Sequence, residues 1–142
     1  MFCIVAVLAA APALPANIKT YAFVNDDGTL TMYGKVIRLY GIHIPQTSRT
    51  CKTGLRPPRC GSRARHALEF KLSSGWPDCE PRRTSQDRSI TALCHVKETD
   101  LSAYLLERGW AVALPDAPIE YQALEKIARS RGRGVWGLAI GE

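Results

Sequence analysis

The tetrad Asn25-Asp26-Asp27-Gly28 constrains this chain most. An Asp-Gly pair tolerates the positive φ of a tight hairpin turn. On its N-terminal side Ile18–Val24 alternates apolar and polar residues and reads as a strand. Thr29–Tyr33 follows as a second strand, Gly34-Lys35 turns the chain again, and Val36–Ile42 supplies a third. The chain therefore opens as an antiparallel meander. His43–Gly61 contains Pro45, Gly54, Pro57 and Pro58 and reads as a long loop. Arg63–Ser73 reads as a helix with Ala64, Ala67, Leu68 and Leu72 on its apolar stripe. Trp76–Glu80 is a short strand, Pro81–Arg88 a polar loop, and Ser89–Val96 a further strand. A second helix begins at Thr99 or Asp100 and ends near Gly109. A third is capped by Asp116, carries Ile119, Ala123, Leu124, Ile127 and Ala128, and stops at Gly132. The order β-β-β-α-β-β-α-α predicts an α+β, mainly β fold: a five-stranded OB-fold barrel with three helices.

The 142 residues suit one domain, and 46% hydrophobic residues supply its core. A formal net charge of +6 favours polyanionic partners such as nucleic acid or an anionic membrane. Residues 1–16, MFCIVAVLAAAPALPA, carry no charge. Their apolar run is shorter than the roughly 20 residues that span a bilayer and fits the core of a secretory signal. No Lys or Arg precedes that run, so a buried N-terminal strand is the competing reading. The expectation is a signal over 1–16, a domain over 17–142, and a periplasmic or secreted monomer without stable membrane insertion. Losing Cys3 leaves four cysteines, which allow three pairings. Local geometry favours Cys51–Cys60 and Cys79–Cys94. Zinc is the weaker reading, since no C-x-x-C pair exists and only His66 and His95 lie nearby.

Several segments recur in a known order. They are Asp26-Asp27-Gly28-Thr29-Leu30, Ile37-Arg38-Leu39-Tyr40-Gly41-Ile42, His43-Ile44-Pro45-Gln46, Cys60-Gly61-Ser62-Arg63-Ala64 and Ala92-Leu93-Cys94. Asp100-Leu101-Ser102-Ala103-Tyr104-Leu105-Leu106, Arg108-Gly109-Trp110-Ala111 and Arg131-Gly132-Arg133-Gly134-Val135-Trp136 complete them. Together they resemble the thermonuclease (staphylococcal nuclease-like) family over nearly the whole mature chain. The resemblance implies an OB-fold and calcium-dependent hydrolysis of DNA and RNA. That chemistry needs carboxylate oxygens for a hard cation, a base for the attacking water, and arginines for the phosphate. At the matching positions Gly28 and His43 replace metal aspartates, and Gln46 replaces the glutamate base. Imidazole is a poor calcium ligand, and a carboxamide takes no proton near neutral pH. Arg38 matches one family arginine. Registration on Cys94 puts Ser89 at the second position, and a one-residue shift would restore Arg88.

The expectation is therefore an exported nuclease-like domain, inactive or very weak, that binds single-stranded DNA or RNA or another anionic partner. No cofactor is expected, with Ca²⁺ required only if the chain is active. An active nuclease with a metal site relocated to Asp26 or Asp27 is one alternative, though those residues suit a hairpin turn better. A structural or protein-interaction module is another. Arg38, Arg49, Lys52, Arg56, Arg59 and Arg63 are the candidate phosphate contacts, or else part of a solvated basic surface. Tyr33 and Tyr40 are candidates for base stacking, unless alternation buries them.

Overall fold

The computed structural model describes residues 16–45 and 62–137, together with Ala6, Leu8 and Ala9. Gln46, Arg49, Lys52, Arg56, Arg59 and the expected Cys51–Cys60 pair lie outside the described residues, as does most of the signal-like segment. The strands are β1 (Ile18–Lys19), β2 (Phe23–Val24), β3 (Leu30–Met32), β4 (Lys35–Leu39) and β5 (Ile42–His43), followed by α1 (Ser62–Leu72). Next come β6 (Asp78–Thr84), β7 (Ile90–Val96), β8 (Thr99–Asp100), α2 (Leu101–Glu107), β9 (Val112–Ala113) and α3 (Ile119–Ser130). A 3₁₀ turn covers Gly134–Trp136. The fold is mixed α+β, mainly β, with three helices.

Seven strands form one sheet in the order β1-β6-β7-β4-β3-β2, with β8 on β7. A small second sheet pairs β5 with β9. The expected strand Ile18–Val24 is two strands, because the chain changes partner at Thr20-Tyr21-Ala22. Ile18 and Lys19 pair with β6 at one end of the sheet, and Phe23 and Val24 pair with β3 at the other. Extended chain covers at most about 3.3–3.6 Å per residue. The two ends of the sheet therefore lie close together, and the sheet curls into a half barrel. Among the described residues no strand pairing joins those ends, so the expected closed five-stranded barrel is not what the pairing records.

The loop expected over Pro81–Arg88 is also corrected. β6 continues through Pro81 to Thr84, with a bulge between Pro81 and Arg83. Proline survives there because β1 covers only Asp78 and Cys79, leaving the outer side of Pro81 without a partner that needs its missing N–H.

The core sits inside the curl. Leu30, Met32 and Ile37 from the sheet meet Leu68 of α1 and Leu101, Leu105 and Leu106 of α2, all fully buried. Each such side chain contributes about 1.5–3 kcal/mol. The expected Cys79–Cys94 disulfide is present and joins directly opposed residues of β6 and β7, with Cα atoms 4.0 Å apart.

The third helix differs from its expected form. It starts at Ile119 after Pro118, with no side-chain cap bond, so Asp116 does not cap it. Its buried residues are Tyr121 and Ala128, with Leu124 partly buried, while Ile119 and Ile127 are exposed. Tyr121 sets this rotation by donating its hydroxyl to Asp100. Asp100 is also the cap of α2, accepting from the amides of Ser102 at 2.9 Å and Ala103 at 3.2 Å. One carboxylate thus fixes two helices. Asp100→Ala is expected to cost about 2–3 kcal/mol, a cap plus an orphaned buried hydroxyl. Chemical denaturation of Asp100→Ala beside Tyr121→Phe checks this, since the second variant removes only the shared bond.

Candidate functional site

Two hairpins end in the same local structure. In Asp27-Gly28-Thr29 and in Asp87-Arg88-Ser89 the middle residue has positive φ, +83° at Gly28 and +68° at Arg88. Each aspartate accepts the amide two residues on at 3.0 Å and the following hydroxyl at 2.6 Å. A short polar side chain that bonds its own turn in this way is the usual reason for Asp at such corners. β4 lies between the two hairpins, flanked by β3 and β7, and carries Arg38 into the gap. Arg38 Nε donates to Ser89 Oγ at 3.4 Å, and its Nη2 lies 3.9 Å from Asp87.

Electrostatics follow from this geometry. Burial pushes Asp27 upward, but its bonds from Thr29 and the charge of Arg38 outweigh that and leave it below the usual carboxylate range. The Ser89 hydroxyl and amide, with Arg38, hold Asp87 below that range too. Arg38 is a half-exposed cation between two carboxylates that stay ionised at neutral pH.

Three hollows open beside Arg38 among the described residues. The first, of about 520 Å³, is lined by Asn25, Asp26, Asp27, Asp87 and Ser89 among others. The other two are smaller clefts. One, of about 300 Å³, is lined by Arg38, Tyr40, Arg82, Arg83, Leu114 and Asp116 among others. Arg82 lies 5.4 Å over the Tyr40 ring, so that ring face is already covered. The other, of about 160 Å³, is lined by Asp27, Gly28, Arg38, His43 and Ile44. Arg88 lines none of the three; it faces a separate hollow with Gly34, Lys35 and Val36. Ser89, not Arg88, stands beside Arg38. Arg63 lies on α1, over the Trp110 ring. Tyr33 is exposed at the β3–β4 turn and lines neither cleft.

The described residues do not fit calcium. Asp27 spends one oxygen on Thr29, and Asp26 is bound by Arg65 of α1. A side chain at Gly28 would put its Cβ 2.3 Å from Ile44 Cδ1, so that position is filled by packing. Among the described residues no cluster of three His, Cys, Asp or Glu is poised around a metal.

Arg82 and Arg83 were invisible as site residues because Pro81 marked their segment as loop. Alternation across Asp78–Arg82, with polar Asp78, Glu80 and Arg82 around Cys79 and Pro81, was the available signal for the strand. No family model and no curated protein matches the chain.

A prediction arises from the Arg38 pairing. Asp87→Asn removes an opposing charge without removing the turn's acceptor oxygen, so polyanion affinity at neutral pH should rise about threefold. In the parent protein the same gain should come only as pH falls below the ordinary carboxylate range, since both carboxylates are held below it. Their stabilising bonds are present above that range and are lost as pH falls through the folded values. Anisotropy titrations across pH with both proteins check this.

Proposed function

We propose that this chain is an OB-like, nuclease-related scaffold that binds the phosphate chain of single-stranded nucleic acid and hydrolyses it weakly or not at all. One observation carries the reading. Arg38, Arg82 and Arg83 converge on one cleft, while Gly28 and His43 occupy neighbouring positions where the family resemblance calls for carboxylates. Guanidinium groups suit phosphate because they donate in a planar fork. The curl of the sheet, with the successive strands β1 and β2 at its two ends, supports the OB-like frame. The buried disulfide suits an oxidising compartment and supports a periplasmic or secreted location.

The test is anisotropy with labelled oligo(dT) and oligo(rU) of about 20 nucleotides, between about 50 and 200 mM salt. Binding should weaken steeply with salt, and Arg38→Ala and Arg82→Ala should each weaken it about tenfold. Binding that ignores salt, or survives both substitutions unchanged, would overturn the reading.

A further inference from the structure

A second cationic surface lies away from Arg38, between α1 and the end of α2. Arg63, His66, Phe70, Tyr104, Arg108 and Trp110 line a shallow groove of about 390 Å³. Two guanidinium groups in it are stacked: Arg63 lies 5.6 Å from the centre of the Trp110 ring, and Arg108 lies 4.4 Å from that of Tyr104. Lys71 approaches the same Tyr104 ring at 5.6 Å. Among the described residues none of these three cations is in an ion pair, and no carboxylate lines the groove. His66 is 3.5 Å from Glu69, whose other oxygen is held by Arg65. Phe70 is 73% exposed, so its ring is open to solvent beside these cations.

Stacking on a ring fixes a guanidinium while leaving its N–H edge open. Such an edge is preorganised for a phosphate and gives up little further freedom when it binds. An exposed aromatic ring beside two such edges can take a base on its face while the flanking phosphates pair with the arginines. A peptide of Asp and Glu alone would use the arginines but has no ring to lay on Phe70. From these observations we infer that the α1–α2 groove is a second contact face for single-stranded nucleic acid, with Phe70 as stacking platform and Arg63 and Arg108 as phosphate clamps. The inference rests on the nucleic-acid reading above but not on Arg38. α1 connects the two surfaces, since its Arg65 holds Asp26 in the hairpin that flanks Arg38.

The experiment uses the full chain and three probes: oligo(dT), an abasic strand of equal length, and polyglutamate of similar charge. The variants are Phe70→Ala, the Arg63→Gln/Arg108→Gln pair, and Arg38→Ala. The two groove variants alter exposed side chains, and circular dichroism verifies their fold. Phe70→Ala should weaken oligo(dT) binding about tenfold and leave the abasic strand unchanged. The paired arginine variant should lower the salt slope by about 1 to 1.5. If Arg38→Ala weakens binding while the groove variants do not, this inference falls and the Arg38 reading stands. If the groove variants weaken it and Arg38→Ala does not, the reverse holds. Polyglutamate binding as tight as oligo(dT) and equally sensitive to Phe70→Ala would mark an acidic-peptide site and overturn the inference. Absence of any strand binding overturns both.

Discussion

Gly109→Ala will destabilise the protein by about 3–5 kcal/mol, among the largest losses a single methyl can cause. Gly109 ends α2 with φ +75°, and its amide donates to Leu106 at 3.1 Å. An alanine Cβ there would stand 2.1 Å from the Arg133 carbonyl oxygen and 2.5 Å from its carbon. The contact is mutual, since a Cβ on Gly134 would stand 2.4 Å from the Gly109 oxygen. That oxygen accepts the Val135 amide at 2.9 Å. Backbone meets backbone, so no side chain can swing aside. Relief requires the 3₁₀ turn to leave the end of α2, taking Val135 and Trp136 with it. Gly34→Ala is the internal control. Gly34 has φ +73° with nothing within 4 Å of an added Cβ. It should cost only the left-handed penalty of about 1–2 kcal/mol. Urea denaturation of the two variants measures the difference, and equal losses would contradict the close approach of the two backbones.

Replacing Cys79 and Cys94 together by alanine will cost about 3 kcal/mol and lower Tm by about 10 °C. The bond closes a loop with a sequence separation of 15. Both residues are fully buried. The sulfur of Met32 lies 3.6 Å from that of Cys79, so the bridge is also a packed part of the core. Burial has a kinetic consequence. A thiol reductant reaches the bridge only through unfolding, so reduction of the folded protein should be slow and should accelerate in urea. Thermal melts of the alanine variant, with timed reduction of the parent, check both parts. Fast reduction without denaturant would contradict the buried position.

What the sequence disclosed and what it concealed divide along local and non-local lines. The turn at Asp27-Gly28 is set by chemistry within a few residues, and it formed as read. The stripe of α1 was also legible, with Ala64 and Leu68 buried as its spacing requires. The stripe of α3 was legible only in part: Leu124 and Ala128 pack inward, but Ile119, Ala123 and Ile127 offered a face as apolar as the one used. Tyr121 decided between them through a bond to Asp100, a residue 21 positions away. Pro81 misled for a similar reason: a proline breaks a strand unless one side is free, and β1's two-residue reach is a tertiary fact. At the site, Gly28 and His43 were singled out by the resemblance alone, as positions where it calls for carboxylates. The packing of Gly28 against Ile44, and the convergence of Arg82 and Arg83 on Arg38, needed the sheet.

The proposed function is a chemical claim: that the scaffold holds phosphate and lacks the groups that would hydrolyse it. Incubation of the purified protein with single-stranded DNA and RNA, with and without millimolar Ca²⁺, tests this most directly. Intact strands are expected in both conditions. Robust Ca²⁺-dependent cleavage that disappears in Arg38→Ala would contradict the claim.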